Sequence, residues 1–224
     1  MKILIMAAHF DDEVYGCGGT IARLTQEGHE VYVCVLTDSC SSQYKDRAGE
    51  MIMQKKEESK KVNDILGIKK TISIDLPDMK LDTIPHVELN KPIEECIKKI
   101  RPEIVYTNYF GDVNKDHRLV FESTIVAVRP VEQSSVRRVL CYELPSSTEW
   151  NAQTLNNIFI SNVFVNIEKT IDKKIEAVRA YKSELREYPH PRSIENVVHQ
   201  AHVRGASAGL EAAECFMLIR EIDK

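Results

Sequence analysis

The sequence predicts a single-domain α/β protein, a Rossmann-like three-layer sandwich with a mostly parallel sheet that spans residues 1–224. Short runs rich in β-branched residues alternate with longer stretches of helical periodicity, which is the pattern of a parallel sheet covered by helices. Of the 224 residues, 43% are hydrophobic, so the chain can bury a core without disulfides or a structural metal.

The predicted strands and helices alternate along most of the chain. Apolar runs of strand length, such as KILIMAA and EVYVCVLT, predict strands at residues 2–8, 30–37, 71–75, 104–108, 138–143 and 163–167. Helical spacing of apolar residues predicts helices at residues 18–27, 49–66, 85–100, 117–128, 169–185 and 193–220. Pro189 and Pro191 interrupt the last two helices, which indicates an ordered loop between them.

The charge and the cysteines argue against several classes of protein. The 30 Lys and Arg residues against 34 Asp and Glu give a net charge of −4, so nucleic acid is not an expected partner. No apolar run approaches the roughly 20 residues that span a bilayer, and the amino terminus turns acidic too soon for a signal peptide. The six cysteines form no CxxC pair. We therefore expect a cytoplasmic protein with reduced thiols.

Polar clusters follow three of the predicted strands, at residues 9–13, 38–44 and 112–117. In an open parallel sheet, ligands bind at the carboxyl ends of the strands, because the loops and the amino termini of the helices converge there. These three clusters are therefore the first places at which to look for a functional site.

Two of the clusters contain side chains that suit a zinc ion. His9 and Asp12 lie three positions apart, and His117 begins a helix directly after the fourth strand. Together they would supply three ligands and leave a position for water, with Asp11 free for proton transfer. Taken singly, acidic residues 11–13 are better explained by helix capping, and His117 by an ordinary surface position. The pairing of the two clusters favours the zinc site.

Nine short motifs are spread from the first strand to the last predicted helix. Four of them are AHFDDE at 8–13, GGT at 18–20, TD at 37–38 and NKDHRLV at 114–120. The others are LPD at 76–78, ELPSSTEW at 143–150, HPRS at 190–193, RG at 204–205 and AECF at 213–216. Together they resemble the PIG-L/LmbE family of zinc-dependent de-N-acetylases, and the resemblance covers nearly the whole chain.

The resemblance implies that His9, Asp12 and His117 bind Zn²⁺ and that Asp11 is the general base. Zn²⁺ would activate water for attack on an acetamide carbonyl, and Asp11 would pass the proton to the leaving amine. The implied substrate is an N-acetylglucosamine-type sugar or sugar conjugate. Self-association is also implied, because family members often form oligomers, including hexamers.

Three positions depart from the family pattern. Phe10 stands where proline is usual, so the turn loses a preset φ angle. Asn114 replaces a histidine that stabilises the oxyanion in many members, and asparagine donates a hydrogen bond without carrying charge. Asp116 is implied to orient Asn114 or a neighbouring ligand. Lys55 stands where members often place an arginine that grips substrate, and Arg47 is a candidate substitute.

Two further segments are candidates for contact with the substrate. Ser42 and Tyr44 follow the second strand, where a pocket is expected, although a plain polar loop is the alternative. Trp150 is the only tryptophan, and it indicates either a wall on which a sugar ring stacks or a residue of the core.

Other kinds of site are disfavoured. Residues 205–209 spell GxSxG, but a nucleophile elbow needs a strand before it and a histidine after it, and none follows His202. His199 and His202 share a helical face, where hydrogen-bonded or exposed histidines are favoured over a second metal site. The glycines of residues 16–19 lack the spacing of a dinucleotide-binding loop, and we expect them to let a helix pack close to substrate or zinc.

The sequence therefore predicts a zinc-dependent hydrolase that removes an N-acetyl group from a small N-acetylated sugar or glycoconjugate. Two alternatives stay open: a non-catalytic, Rossmann-like module that binds a sugar or a nucleotide, and an amidase that acts on a different amide. The presence of His9, Asp11, Asp12 and His117 together argues against the binding module.

Overall fold

The computed structural model describes residues 1–131 and 134–223 and contains one seven-stranded sheet. The strands are β1 (Lys2–Ala7), β2 (Glu30–Thr37), β3 (Lys70–Leu76), β4 (Ile104–Thr107), β5 (Arg138–Tyr142), β6 (Val163–Asn166) and β7 (Ala213–Glu221). The α-helices are α1 (Asp12–Gln26), α2 (Ala48–Leu66), α3 (His86–Ile100), α4 (Lys115–Ala127), α5 (Ile171–Ala180) and α6 (Ile194–Ala206). Two short 3-10 helices lie at Lys45–Arg47 and Leu81–Thr83.

The sheet is mostly parallel and has the order β3-β2-β1-β4-β5-β7-β6. Strands β1 to β5 pair in parallel, whereas β7 runs antiparallel to both β5 and β6. Strands β2 and β3 are added on one side of β1, whereas β4 and β5 are added on the other, so the strand order switches between β1 and β4. In doubly wound folds, ligands bind at such a switch point. The predicted α/β sandwich is therefore confirmed.

A hydrophobic core covers each face of the sheet, which gives the three layers. Strand β1 is buried on both faces: Ile3 and Ile5 pack with side chains of α1, α2, α5 and α6, whereas Leu4 and Met6 pack with α3 and α4. A strand that is buried on both faces has an unbroken apolar sequence, and this pattern is why β1 was predicted correctly. All six cysteines are buried and free.

The helix predicted at residues 193–220 is wrong in its second half. Helix α6 ends at Ala206, and Gly209 turns the chain with a φ angle of 69°. The segment Ala213–Glu221 is then strand β7, paired on both sides within the sheet. A short apolar run does not distinguish helix from strand by itself, and long-range pairing with β5 and β6 decides the outcome here.

Two helix ends also differ from the prediction. Helix α1 begins at Asp12 and not at residue 18, so the acidic residues lie at its start. Helix α5 ends at Ala180, and a coil of 13 residues, 181–193, leads to α6. Within residues 1–131 and 134–223, no helix is both long and apolar enough to cross a bilayer.

Close packing of α1 against the sheet fixes the position of its first turn. A Cβ atom on Gly16 would collide with the ring of Tyr142, and one on Gly19 would lie 2.8 Å from Ile167. The hydroxyl of Tyr142 donates a hydrogen bond to the carbonyl of Met6 at 2.7 Å. These glycines therefore face protein side chains, and not the substrate or zinc that the sequence analysis expected.

The packing predicts opposite effects for two glycine substitutions. We expect Gly16→Ala to lower the free energy of unfolding by about 1–3 kcal/mol, because the added methyl group must displace the Tyr142 ring. The matched control is Gly49→Ala in α2, where a Cβ would meet no atom of residues 1–131 and 134–223 within 4 Å, and the free energy of unfolding is expected to rise by about 0.4–1 kcal/mol. Urea denaturation measures both, and equal effects would contradict the packing.

Candidate active site

Three side chains meet at the carboxyl ends of β1 and β4. His9 follows β1, Asp12 is the first residue of α1, and His117 lies in the first turn of α4. His9 Nδ1 lies 3.1 Å from His117 Nε2, and His117 Nε2 lies 3.6 Å from Asp12 Oδ1. One ligand atom from each residue falls within 4.8 Å of the others. The structure thus brings together the three residues predicted to bind zinc.

The two carboxylate oxygens of Asp12 have different surroundings. Its Oδ2 accepts hydrogen bonds from the backbone N–H of Ala8 at 2.9 Å, from that of His9 at 3.1 Å, and from Asn108 Nδ2 at 3.0 Å. Its Oδ1 is buried and has no hydrogen-bond donor among the described residues. Burial raises the pKa of Asp12, but the charges of His117 and His9 outweigh burial and lower it.

This arrangement fits a divalent metal ion. A buried carboxylate oxygen without a donor is costly, and here Asp12 Oδ1 lies 3.6 Å from His117 Nε2, while His9 Nδ1 lies 3.9 Å from Oδ2 of the same carboxylate. Two imidazole nitrogens and a carboxylate oxygen are the donor set of many catalytic zinc sites, which keep a further position open. His9, Asp12 and His117 are therefore the residues that could hold a metal.

Asp112 orients His117 from the side away from this centre. Asp112 Oδ1 lies 3.2 Å from His117 Nδ1, so the ring presents Nε2 to His9 and Asp12. Asp112 also accepts hydrogen bonds from the hydroxyls of Ser147 and Thr148. Burial raises the pKa of Asp112, but the charge of His117 and hydrogen bonds from His117, Ser147 and the backbone N–H of Asn114 outweigh burial and lower it. Sequence reasoning gave Asp112 no role, because nothing in its spacing showed which way it points.

His9 is held in the same way through its second nitrogen. His9 Nε2 lies 3.3 Å from Asp78 Oδ1 and 3.4 Å from Asp116 Oδ2. Burial lowers the pKa of His9, but hydrogen bonds to Asp116 and Asp78 outweigh it and raise the pKa to about 10. His9, Asp78 and Asp116 form a second group whose ligand atoms lie within 4.8 Å of one another. Asp116 was predicted to orient either Asn114 or a neighbouring ligand. Its carboxylate contacts the ligand His9, and its backbone N–H donates a hydrogen bond to Asn114 Oδ1.

Asp11 lies beside the three-residue cluster in a strained conformation. Its φ angle is 108°, a region that residues other than glycine rarely adopt, and such strain is concentrated at functional sites. Its carboxylate accepts a hydrogen bond from Arg192 Nη1 at 2.9 Å. Burial raises the pKa of Asp11 to about 6, although the charges of Arg192 and Lys55 oppose the rise. A buried carboxylate with a raised pKa suits proton transfer.

A small polar pocket opens onto this group. It is lined by His9, Asp11, Ser39, Gln43, Lys55, Met79, Asn114, Glu184 and Arg192. Lys55 is buried, with Nζ 2.5 Å from Glu184 Oε1. His9, Asp11, Lys55 and Asn114 are the lining residues that were predicted as site residues from the sequence. Arg192 and Glu184 were not predicted as site residues, although the HPRS motif that contains Arg192 was a visible signal.

The remaining residues predicted to bind substrate lie at the edge of the site or outside it. Arg47 is exposed, and its guanidinium pairs with Glu50 at 3.0 Å. The Ser42 hydroxyl donates to the carbonyl of Asp78, and Tyr44 is half-buried in the same loop. Trp150 is 57% exposed and lines a separate groove, so it is no part of the core. Arg47 therefore gives no sign of replacing a substrate-gripping arginine in the pocket.

The family model described as PIG-L, GlcNAc-PI de-N-acetylase, matches residues 4–128. The chain belongs to the PIG-L family. The matched segment contains the cluster of His9, Asp12 and His117 together with Asp11 and Asn114. The resemblance predicted from the sequence motifs is therefore confirmed.

Two curated relatives of this PIG-L member are named as deacetylases. It is 33% identical over 190 residues to the uncharacterized deacetylase YaiS of Escherichia coli. That alignment covers 81% of this chain and 90% of the relative. It is 29% identical over 197 residues to the diacetylchitobiose deacetylase of Thermococcus kodakarensis, covering 83% of this chain and 71% of the relative.

The fold of this PIG-L member is shared with an enzyme of another name. The crystal structure of GalB, a 4-carboxy-2-hydroxymuconate hydratase from Pseudomonas putida, superposes with a TM-score of 0.80 at 18% identity. The superposition covers 100% of this chain and 98% of that one. The fold by itself therefore does not identify the reaction of this chain.

The contact between Asp112 and His117 predicts an effect on metal binding. We expect Asp112→Asn to weaken zinc affinity about 10–100-fold, because the imidazole loses the carboxylate that fixes its orientation. The control is Asp82→Asn, whose carboxylate pairs with Lys115 at the surface and should leave affinity unchanged. Competition against a chromogenic chelator measures both affinities. Equal affinities for the two variants would show that Asp112 does not act on the centre.

Proposed function

We propose that this PIG-L member is a zinc-dependent hydrolase that removes the acetyl group from an N-acetylglucosamine-type sugar or sugar conjugate. The observation that carries the proposal is the convergence of His9, Asp12 and His117 within 4.8 Å, with the carboxylate of Asp11 beside them. The names of the two deacetylase relatives support the acetyl group and the sugar.

His9 Nδ1, Asp12 Oδ1 and His117 Nε2 would hold the zinc ion. When bound, zinc lowers the pKa of water toward about 7 and polarises a carbonyl group, which is the chemistry that amide hydrolysis needs. Asp112 contacts Nδ1 of His117, and Asp78 and Asp116 contact Nε2 of His9, so each imidazole is held through its second nitrogen. The chain itself therefore supplies a prearranged set of ligands.

Asp11 is the proposed general base. Its carboxylate takes a proton from the attacking water and gives it to the nitrogen of the leaving amine, so that acetate and a free amino sugar depart. Its raised pKa of about 6 places proton uptake and release near neutral pH. No other carboxylate of the pocket is equally suited, because Glu184 is paired with both Lys55 and Arg192.

Asn114 is the proposed donor to the carbonyl oxygen. Its side-chain oxygen accepts the backbone N–H of Asp116 and caps α4, which directs the amide nitrogen toward Met79 and the pocket. The amide donates a hydrogen bond but carries no charge, so it stabilises the developing oxyanion less than a protonated histidine would.

The predicted substrate contacts divide into two groups by position. Lys55 lines the pocket and can contact the acetamido sugar itself. Ser42, Tyr44, Arg47 and Trp150 lie farther out, so they remain predictions for the part of a conjugate that extends beyond that sugar. The same catalytic residues would also hydrolyse a different amide of similar size, which the assay below separates from deacetylation.

Metal removal and two substitutions test the proposal. Acetate release is measured with N-acetylglucosamine, N,N'-diacetylchitobiose and other N-acetylated sugars and amides. Chelation should abolish turnover and added Zn²⁺ should restore it. We expect His117→Ala to lose zinc, and Asp11→Asn to keep zinc while kcat falls about 10²–10⁴-fold. Asp64→Asn, at an exposed position of α2, is the control.

Three results would count against the proposal. Undiminished acetate release by Asp11→Asn would remove the assigned base. Turnover only with amides that lack a sugar would favour the different amidase. A protein that binds no zinc and releases no acetate from any substrate would favour the non-catalytic binding module.

A further inference from the structure

Four alternating charges form a chain of contacts along one wall of the pocket. Lys55 Nζ lies 2.5 Å from Glu184 Oε1, Glu184 Oε2 lies 2.6 Å from Arg192 Nη1, and that same nitrogen lies 2.9 Å from Asp11 Oδ2. The four residues come from α2, from the coil at 181–193 and from the turn before α1. The chain of contacts ends on the proposed base.

We propose that Arg192 is a positioning residue that sets the direction of the Asp11 carboxylate. The inference rests on the proposed function, since it assigns Arg192 a role through Asp11 and none toward the substrate. Guanidinium groups suit this task because their donors are fixed in a planar fork.

Asp11 depends on Arg192 more than an ordinary carboxylate would. Among the described residues, Arg192 supplies the hydrogen bond that the Asp11 side chain accepts. The backbone of Asp11 has a φ angle of 108° and lies between the two ligands His9 and Asp12. Without the guanidinium, the side chain is free to rotate away from the reacting atoms.

Arg192 is itself fixed by groups other than Asp11. Its Nε donates to the hydroxyl of Ser146 at 2.9 Å, and its guanidinium lies 5.4 Å from the centroid of the Tyr15 ring. The Tyr15 hydroxyl also donates to the carbonyl of Arg192 at 3.2 Å. Together with Glu184, these contacts hold the guanidinium in place before a substrate binds.

A purely structural role is the alternative, and the chain offers a matched control for it. Arg204, in α6, pairs with Glu143 through Nε and Nη2, so it too is an arginine–carboxylate pair. The side chain of Arg192 is 21% exposed and that of Arg204 is 29% exposed. Loss of either pair should affect stability similarly, whereas only Arg192 touches Asp11.

The first test is the kinetics of Arg192→Ala beside Arg204→Ala. We expect kcat of Arg192→Ala to fall about 10²-fold with KM and bound zinc unchanged, because misplacing a reacting group costs about that much. Millimolar guanidinium ion should restore part of the lost kcat. Arg204→Ala should keep the wild-type kcat and show no response to guanidinium. Arg192→Lys retains the charge but not the fork, and we expect it to fall between Arg192→Ala and the wild type.

The second test needs no turnover. In metal-free protein, the stabilities of Asp11→Asn, Arg192→Ala and the double variant form a double-mutant cycle. We expect the double variant to lose less stability than the sum of the single losses. Additive losses would show that the two side chains do not interact in solution, and the inference would fail.

The outcomes separate this inference from the proposed function. A wild-type protein that releases no acetate from any substrate overturns the proposed function and, with it, a positioning role in that reaction. An active wild type whose Arg192→Ala and Arg192→Lys variants keep full kcat overturns the inference alone. If Arg192→Ala and Arg204→Ala lose kcat equally and guanidinium restores neither, both arginines have a structural role only, and the inference is overturned.

Discussion

The carboxylate of Asp12 is the contact on which the site depends. Its Oδ2 gathers the backbone N–H groups of Ala8 and His9 and the side chain of Asn108, and Asn108 Oδ1 in turn accepts the N–H of Ala8. These bonds join the end of β1 to the segment that follows β4 and fix the first turn of α1. Because Oδ2 already accepts three hydrogen bonds, Oδ1 is left buried beside His117, with no donor from the part of the chain that the structure describes. A bound cation would offset that cost.

Charge pairing around the pocket holds each functional group from its far side. Asp112 orients one imidazole and Asp116 the other, while Arg192 holds Asp11. In each imidazole, the carboxylate contacts one ring nitrogen and the other nitrogen faces the cluster of His9, Asp12 and His117. Such preorganisation is what lets a site act without rearranging during the reaction. Because this preorganisation resides in particular side chains, the fold that is shared with the hydratase neighbour does not by itself assign a reaction.

The sequence was most informative where one local signal sufficed. The unbroken apolar run of β1 and the polar residues after it placed His9, Asp11 and Asp12 at a strand end, and the sheet topology then brought His117 to them. Strand β7 was missed because its partners lie far away in the chain. Arg192 was missed for a related reason: 181 residues separate it from Asp11, and it lies in a coil without periodicity. Arg47 was predicted as a substitute for the arginine that Lys55 replaces, but it is exposed, lies directly before α2 and pairs with Glu50 outside the pocket.

The position of bound zinc tests the central role of Asp12 most directly. Crystals of the zinc-loaded protein are measured on both sides of the zinc absorption edge. An anomalous peak is expected about 2.0–2.2 Å from His9 Nδ1, Asp12 Oδ1 and His117 Nε2. A peak bounded by His9 Nε2, Asp78 and Asp116, or none in either place, would contradict the assignment of Asp12 Oδ1 as a metal ligand.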